Sequence, residues 1–351
     1  MNLKEKIRSL PNTPGVYLMK DKDENIIYVG KSKNLKNRVS QYFTPSYAPS
    51  KKITRMIKFI NDIEIIHTDS ELDALLLECE LIKKIQPMYN TLMKNDNKYT
   101  YIKIDMNEDY PTLEVVHEIT DDSLYFGPYT SSYKLENIKE ILLKYFKLRQ
   151  CGVSNKLKGC LNYDLGICMG PCRNKDKVSY NNGLNALIET LKGNDEEIIN
   201  YLEKEMKLCV NNLKFEEAQK YKEDIESIKS ISSKSKSINF IKENYNVLAL
   251  TKVSDNTKKL YYLKGKEVKF TKILSNEDIK NKEYIQNIIE DIKLYLSFEE
   301  KKFVNTTIGK EELDICTIIY NYLKYSKDCK YLILNEEITD VELCKWIVDF
   351  D

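Results

Sequence analysis

Histidine is almost missing from this sequence, with only His67 and His117 in 351 residues. His67 closes Ile63-Glu64-Ile65-Ile66-His67, which reads as a strand, and both histidines read as structural residues. Their scarcity weighs at once against a Ser-His-Asp triad, a histidine-metal nuclease and a histidine-rich zinc site. Long apolar runs are also missing. No stretch approaches the ~20 apolar residues that span a bilayer, and Met1-Asn2-Leu3-Lys4-Glu5 carries no apolar signal region. A cytoplasmic chain without a membrane partner is the expectation. Net charge is lacking too: 31% of the residues are charged, yet they sum to only +1. Any polyanionic partner must therefore be read from how charge is distributed. No internal repeat is evident.

Charge is in fact uneven. Residues 1–60 hold 13 lysines and arginines against 4 aspartates and glutamates. Such a stretch is either a solvated lysine-rich face or a surface for nucleic acid. Nine cysteines in a reducing compartment argue for metal binding wherever they cluster and against a disulfide framework. At this length two to four compact units are expected.

The densest information lies in the first ninety residues. Pro14-Gly15-Val16-Tyr17-Leu18-Met19 and Asn25-Ile26-Ile27-Tyr28-Val29 are β-prone runs around a turn-rich Lys20-Asp21-Lys22-Asp23-Glu24, a hairpin pattern that puts Tyr17 and Tyr28 on strands. Ser32 or Asn34 caps a helix through Leu35, Arg38, Val39 and Tyr42, and 55–60 reads as a second helix. A third helix starts at Ser70, three residues before Asp73 as in a capping box, and runs to about Ile85. Its geometry sets Glu78 beside the apolar stripe of Leu75, Cys79 and Ile82, where a carboxylate needs a partner: a lysine or a metal ion.

Tyr17, Tyr28, Lys31, Arg38, Glu78 and Asn90 together form an inventory for phosphodiester cleavage. Tyrosine, with an unperturbed pKa of about 10, serves as a base only where positive charge stabilises its phenolate, and Lys31 beside Tyr28 acts in that direction. Arg38 has the planar fork that matches phosphate oxygens. One carboxylate suits Mg²⁺ (or Mn²⁺), which keeps most of its waters. The set resembles the GIY-YIG nuclease module. More narrowly, Leu10-Pro11-Asn12-Thr13-Pro14-Gly15-Val16-Tyr17 and Leu77-Glu78-Cys79-Glu80-Leu81-Ile82-Lys83-Lys84, with Pro87-Met88-Tyr89-Asn90, resemble the version in the UvrC family of bacterial nucleotide excision repair. The resemblance implies Tyr28 as general base or water-orienting group, assisted by Tyr17 and Lys31. It implies Arg38 stabilising the transition state, Glu78 holding the divalent metal, Asn90 orienting the site, and a nick on the 3′ side of a lesion in double-stranded DNA.

Cys151, Cys160, Cys168 and Cys172 form a C-x8-C-x7-C-x3-C array. Four thiolates so close in sequence suit zinc or an iron–sulfur cluster, and the lack of C-x2-C pairs favours the cluster. The resemblance implies [4Fe-4S], with Zn²⁺ as the alternative. From 178 to about 231 the chain reads as helical, broken at Asn211-Asn212-Leu213-Lys214-Phe215 into a hairpin. One apolar stripe carries Leu202, Met206, Cys209 and Leu213; the other carries Ala218, Tyr221, Ile225 and Ile228. These residues resemble the UVR motif, which implies UvrB as partner through Phe215, Glu216, Glu217, Ala218, Asp224 and Ile225, although Lys222 stands where an arginine is common. The Ser/Lys-rich 230–237 reads as a linker.

The fold expected is therefore multidomain, α/β and α: a GIY-YIG α/β nuclease domain (1–95), an α/β extension (96–150), a Cys-rich cluster-binding region (151–175), a helical region (176–232) with the UVR hairpin at about 195–230, and an α/β connector (239–351). No RNase H-like carboxylate set follows, so the connector is expected to be truncated. The activity expected is that of a metal-dependent DNA endonuclease, the incision subunit of excision repair. The alternatives are a catalytically silent UvrB-binding or regulatory module, and a stand-alone structure-specific nuclease.

Overall fold

The computed structural model describes residues 3–44, 50–91, 93–94, 99–129, 131–151, 160–297, 312–334 and 338–349. Two compact units are present, one of residues 1–96 with 240–351 and one of residues 97–239.

The first unit begins with α1 (Leu3–Arg8), β1 (Gly15–Lys20), β2 (Ile26–Ser32), α2 (Leu35–Tyr42), α3 (Lys51–Phe59), β3 (Asp62–His67) and α4 (Glu71–Ile85). The three strands form one antiparallel sheet in the order β2-β1-β3. Because β1 is central, both of its faces are covered. Tyr17 and Met19 pack with Leu35, Val39, Tyr42 and Met56 from α2 and α3, while Val16 and Leu18 pack with Ala74 and Ile82 from α4. Asn34 caps α2 by accepting the Asn37 amide at 2.9 Å, and the Ser70–Asp73 capping box at α4 is formed. The second helix starts at Lys51, four residues before the start expected from sequence, with Ser50 as its cap.

The second unit has a three-stranded antiparallel sheet of β4 (Thr100–Ile104), β5 (Leu113–Val116) and β6 (Leu124–Tyr129) in the order β5-β4-β6. It continues with α5 (Ser132–Tyr145), the one-turn helices α6 (Leu161–Asp164) and α7 (Pro171–Asn174), then α8 (Lys177–Lys192), α9 (Glu196–Asn211) and α10 (Phe215–Lys242). Ile102, Leu142, Leu187, Leu202 and Ile228 meet in one core.

Two sequence expectations fail in this unit. The stretch 230–237 is no linker but part of α10, with Ser232, Ser235 and Ser237 buried. Serine is a tolerable helix former, and its small side chain allows close packing; the Ser235 hydroxyl shares a 3.0 Å hydrogen bond with Tyr129. Leu213 leaves the apolar stripe. It takes a left-handed φ of 59° after the C-terminus of α9 and is 75% exposed.

The chain then returns to the first unit with β7 (Asn246–Lys252), β8 (Thr257–Lys264), β9 (Glu267–Ser275), α11 (Asn276–Lys280), α12 (Lys282–Ser297), α13 (Leu313–Tyr325), β10 (Cys329–Ile333) and α14 (Asp340–Val348). The antiparallel sheet runs β10-β7-β8-β9. Alternate residues serve its two faces. Leu248, Leu250, Leu260 and Tyr262 pack with α12 and α14, whereas Val247, Ala249, Tyr261 and Leu263 pack with α13 and with Leu72 and Cys79 of α4. Helix α4 is thus sandwiched between the two sheets of this unit. Polar contacts seal the junction: Lys259 lies 2.7 Å from Asp69 and 2.9 Å from Asp73, and Tyr261 donates to Asp73 at 3.0 Å.

Candidate active site

Strand pairing creates the centre of the site. Tyr17 on β1 faces Gly30 on β2, and a Cβ on Gly30 would fall 2.4 Å from the Tyr17 hydroxyl. Gly15 is needed for a similar reason: its Cβ would meet the Ile66 carbonyl oxygen at 2.4 Å. Both glycines are therefore demanded by close approach, not by an unusual φ. With that space free, the rings of Tyr17 and Tyr28 lie 6.1 Å apart, and Tyr42 of α2 joins them at 6.1 and 6.4 Å. The Tyr17 and Tyr42 hydroxyls share a hydrogen bond at 3.0 Å.

Arg38, one helical turn before Tyr42, places its guanidinium 5.5 Å from that ring and donates to Gln41 at 3.1 Å. It borders an open cleft of about 690 Å³ that is also lined by Lys33, Asn37 and Gln41. Asn90 acts through the backbone. Its Oδ1 accepts the Val29 amide at 2.9 Å and its Nδ2 donates to the Val29 carbonyl at 2.8 Å, which pins β2 between Tyr28 and Gly30.

Glu78 is half-buried on α4, and its Oε1 accepts the backbone amide of Lys31 at 3.0 Å. Its other oxygen makes no hydrogen bond among the described residues, and no lysine pairs with it there. The ammonium of Lys31 lies instead on Glu71, at 2.7 Å. Lysine 31 therefore does not stand against Tyr28 as the sequence suggested. Burial pushes the Glu78 carboxyl above its usual range, against the opposing pull of the Lys31 amide and of Lys31 and Arg38. Burial, followed by Tyr42 and Glu78, also pushes the Tyr28 phenol well above its usual value, and Tyr17 is raised by burial and its tyrosine neighbours. Both phenols are protonated donors at neutral pH. A hard cation fits this donor: a half-buried carboxylate with one oxygen that makes no hydrogen bond among the described residues.

Tyr42 and Glu71 were not recognised as site residues from sequence. Tyr42 had a signal, because position i+4 from Arg38 lies on the same helix face. Glu71 had one as well, seven residues and two turns before Glu78.

In the second unit, Cys168 is buried and its thiol is pushed up by burial and then by the proximity of Cys160, Cys151 and Cys172, while the Gly170 amide donates to its Sγ at 3.3 Å. Residues 152–159, between Cys151 and Cys160, lie outside the described residues. Among the described residues no group of three or more histidine, cysteine, aspartate or glutamate side chains is placed to hold a metal ion. In the helical hairpin Phe215, Glu216 and Glu217 are exposed, Asp224 is half-buried, and Ala218 and Ile225 are buried within the unit. No described helix is long and apolar enough to cross a membrane.

A two-glycine hairpin with paired tyrosines, an arginine on the next helix and a glutamate on a capped helix below defines a GIY-YIG-type nuclease site. Residues 13–91 match the family model of the UvrC-like GIY-YIG domain, 99–190 the middle domain of UvrC/Cho excinuclease, and 196–231 the UvrB/uvrC motif. The chain belongs to the UvrC family, over its amino-terminal part. It is 40% identical over 272 residues to the UvrABC system protein C of Acetivibrio thermocellus, covering 75% of this chain and 44% of that one. With the corresponding protein of Clostridioides difficile it shares 41% identity over 243 residues, 67% of this chain and 40% of that one. The chain therefore spans less than half the length of either relative. A solved GIY-YIG endonuclease domain of UvrC from Thermotoga maritima, described as bound to magnesium as its catalytic divalent cation, is 38% identical over 25% of this chain and 96% of that one, with a TM-score of 0.23.

Proposed function

We propose that this chain is a divalent-cation-dependent DNA endonuclease that makes the 3′-side nick at a lesion marked by UvrB in nucleotide excision repair. The observation that carries this reading is the cluster of Tyr17, Tyr28 and Tyr42 with Arg38, which borders an open cleft, and the half-buried Glu78 carboxylate close enough to act on Tyr28. Glu78 would hold Mg²⁺ (or Mn²⁺), which supplies Lewis-acid charge and lowers the pKa of a bound water. Arg38 neutralises the phosphate and meets the charge that develops on it. Tyr28, protonated in the free protein, orients the attacking water through its hydroxyl and becomes a base only as positive charge enters the site. Tyr17 and Tyr42 hold that hydroxyl in place, and Asn90 fixes the strand beneath it.

Two further assignments accompany this reading. Cys151, Cys160, Cys168 and Cys172 bind a [4Fe-4S] cluster, with Zn²⁺ the alternative; their C-x8-C-x7-C-x3-C spacing supports this, and iron, sulfide and zinc analysis of anaerobically purified protein decides it. The hairpin of α9 and α10 docks on UvrB, supported by the exposed Phe215, Glu216 and Glu217 at its turn.

The deciding experiment is strand-resolved incision of a duplex with one defined lesion, preloaded with UvrA, UvrB and Mg²⁺. A single 3′ nick that is lost with Glu78→Ala, in protein that remains folded, supports the assignment. No nick from folded chain shown to bind UvrB favours a silent binding module, and nicking that survives in Glu78→Ala removes the metal role.

A further inference from the structure

Helix α4 grips Lys31 at two points. Glu78 accepts its backbone amide at 3.0 Å, and Glu71 takes its ammonium at 2.7 Å. The two glutamates are seven residues apart, so they lie on one face of the helix about 10 Å apart along its axis. Glu71 is a well-buried carboxylate, with its side chain 16% exposed, and its second oxygen binds Lys33 at 2.9 Å. Lys33 has another anchor, Asp328 at the start of β10, at 2.8 Å. Lys31 has no second ion-pair partner among the described residues.

This asymmetry has a chemical consequence. If Glu71 lost its charge, Lys33 would stay with Asp328, whereas the Lys31 ammonium would be released next to Glu78, the carboxylate that accepts its backbone amide. An ammonium on the spare oxygen of Glu78 would occupy the place a divalent cation needs. We propose that Glu71 is a positioning residue that holds the Lys31 ammonium off Glu78 and so keeps the Glu78 carboxylate available to a divalent cation. The ion pair of Lys33 with Asp328 backs this arrangement from the 240–349 sheet, leaving Glu71 to serve Lys31. The inference rests on Glu78 being the cation ligand.

The test uses Mn²⁺ alone, counted by the electron paramagnetic resonance signal of the free ion, with no DNA present. Wild-type chain binds Mn²⁺ and Glu78→Ala does not. Glu71→Gln, which keeps size and hydrogen-bonding capacity, weakens Mn²⁺ binding about tenfold, the usual scale for a group that orients a ligand. Adding Lys31→Met to Glu71→Gln restores affinity to near the wild-type value, because the competing ammonium is gone. A plain loss of negative charge is told apart by Glu71→Gln with Lys33→Met, which restores the same net charge but leaves the Lys31 ammonium in place and should stay as weak as the single variant; unfolding would be reversed by neither. Unchanged affinity in Glu71→Gln, or a Lys31→Met double variant as weak as the single one, overturns the proposal while leaving Glu78 as ligand. Wild-type chain that binds no Mn²⁺ overturns the Glu78 assignment and this inference together.

Discussion

Gly30 lies opposite Tyr17 across the β1–β2 pair, and the hydroxyl end of the tyrosine fills the space that any side chain on Gly30 would take. The tyrosine cannot retreat, because it is buried against Tyr28, Tyr42 and the α2 side of the core. Gly30→Ala is therefore an overpacking change that also displaces a hydroxyl of the tyrosine cluster, and a loss of about 2 kcal/mol is expected in urea unfolding. Nicking should fall by a larger factor than the folded fraction does. A variant of wild-type stability and activity would show that Tyr17 has freedom the structure denies it.

Glu78 carries an opposite consequence for stability. Since burial raises its carboxyl above the ordinary value near 4.5, the folded chain holds that proton more tightly than the unfolded chain. The resulting penalty is absent well below pH 4.5 and grows as pH rises from there through the raised value. Glu78→Gln, which can still accept the Lys31 amide, should melt higher than wild type at pH 7.5 in EDTA and at the same temperature near pH 4. Saturating Mg²⁺ should narrow or reverse the difference, because only the wild-type site gains from binding. A lower melting point for Glu78→Gln in EDTA at pH 7.5 would mean the carboxylate is well solvated or paired.

Much of this site was legible because it is local. The hairpin followed from two β-prone runs around a polar turn, and the Ser70–Asp73 capping box fixed the phase of α4, which placed Glu78 beside the buried stripe. Tyr17, Tyr28, Arg38 and Glu78 fall on the elements read from sequence, and Asn90 lies in the irregular stretch after α4. The destination of the Lys31 ammonium was not legible, since which carboxylate a flexible side chain reaches depends on the angle between β2 and α4. The second covering of α4 was hidden as well. Leu72 and Cys79 read as core residues of one domain, yet they face a sheet formed more than 160 residues later in the chain. Residues 230–237 misled because serine and lysine signal solvation in composition, whereas the packing of α10 uses the small size of serine.

Asn90 separates a backbone role from a chemical one. Its two hydrogen bonds reproduce a strand pairing on the Val29 peptide. Asn90→Ala leaves both Val29 groups without these partners and should destabilise the chain by about 2 kcal/mol. Asn90→Asp keeps an acceptor for the Val29 amide but sets a carboxylate oxygen against the Val29 carbonyl, so at neutral pH it should be at least as damaging as alanine. Because protonation supplies the missing donor, the Asn90→Asp deficit should shrink as pH falls into the carboxylate range, a shift that Asn90→Ala should not show. Parallel pH–stability curves for the two variants would remove the donated bond from this account.

The last prediction concerns α10, where composition and structure disagree most sharply. If 230–237 were a linker, proline would be tolerated there. In a helix interior, proline at position 235 removes the N–H that donates to the carbonyl of Ile231 and clashes with that carbonyl, at about 3 kcal/mol or more. It also removes the hydroxyl that pairs with buried Tyr129. Ser235→Ala, which loses only that hydroxyl, should cost about 1 kcal/mol, so comparing the two separates the backbone from the side chain. Limited proteolysis gives an independent reading: wild-type chain should resist cleavage across 230–237, and Ser235→Pro should open it. Rapid cleavage of the wild-type chain in this stretch, with proline causing no further change, would restore the linker.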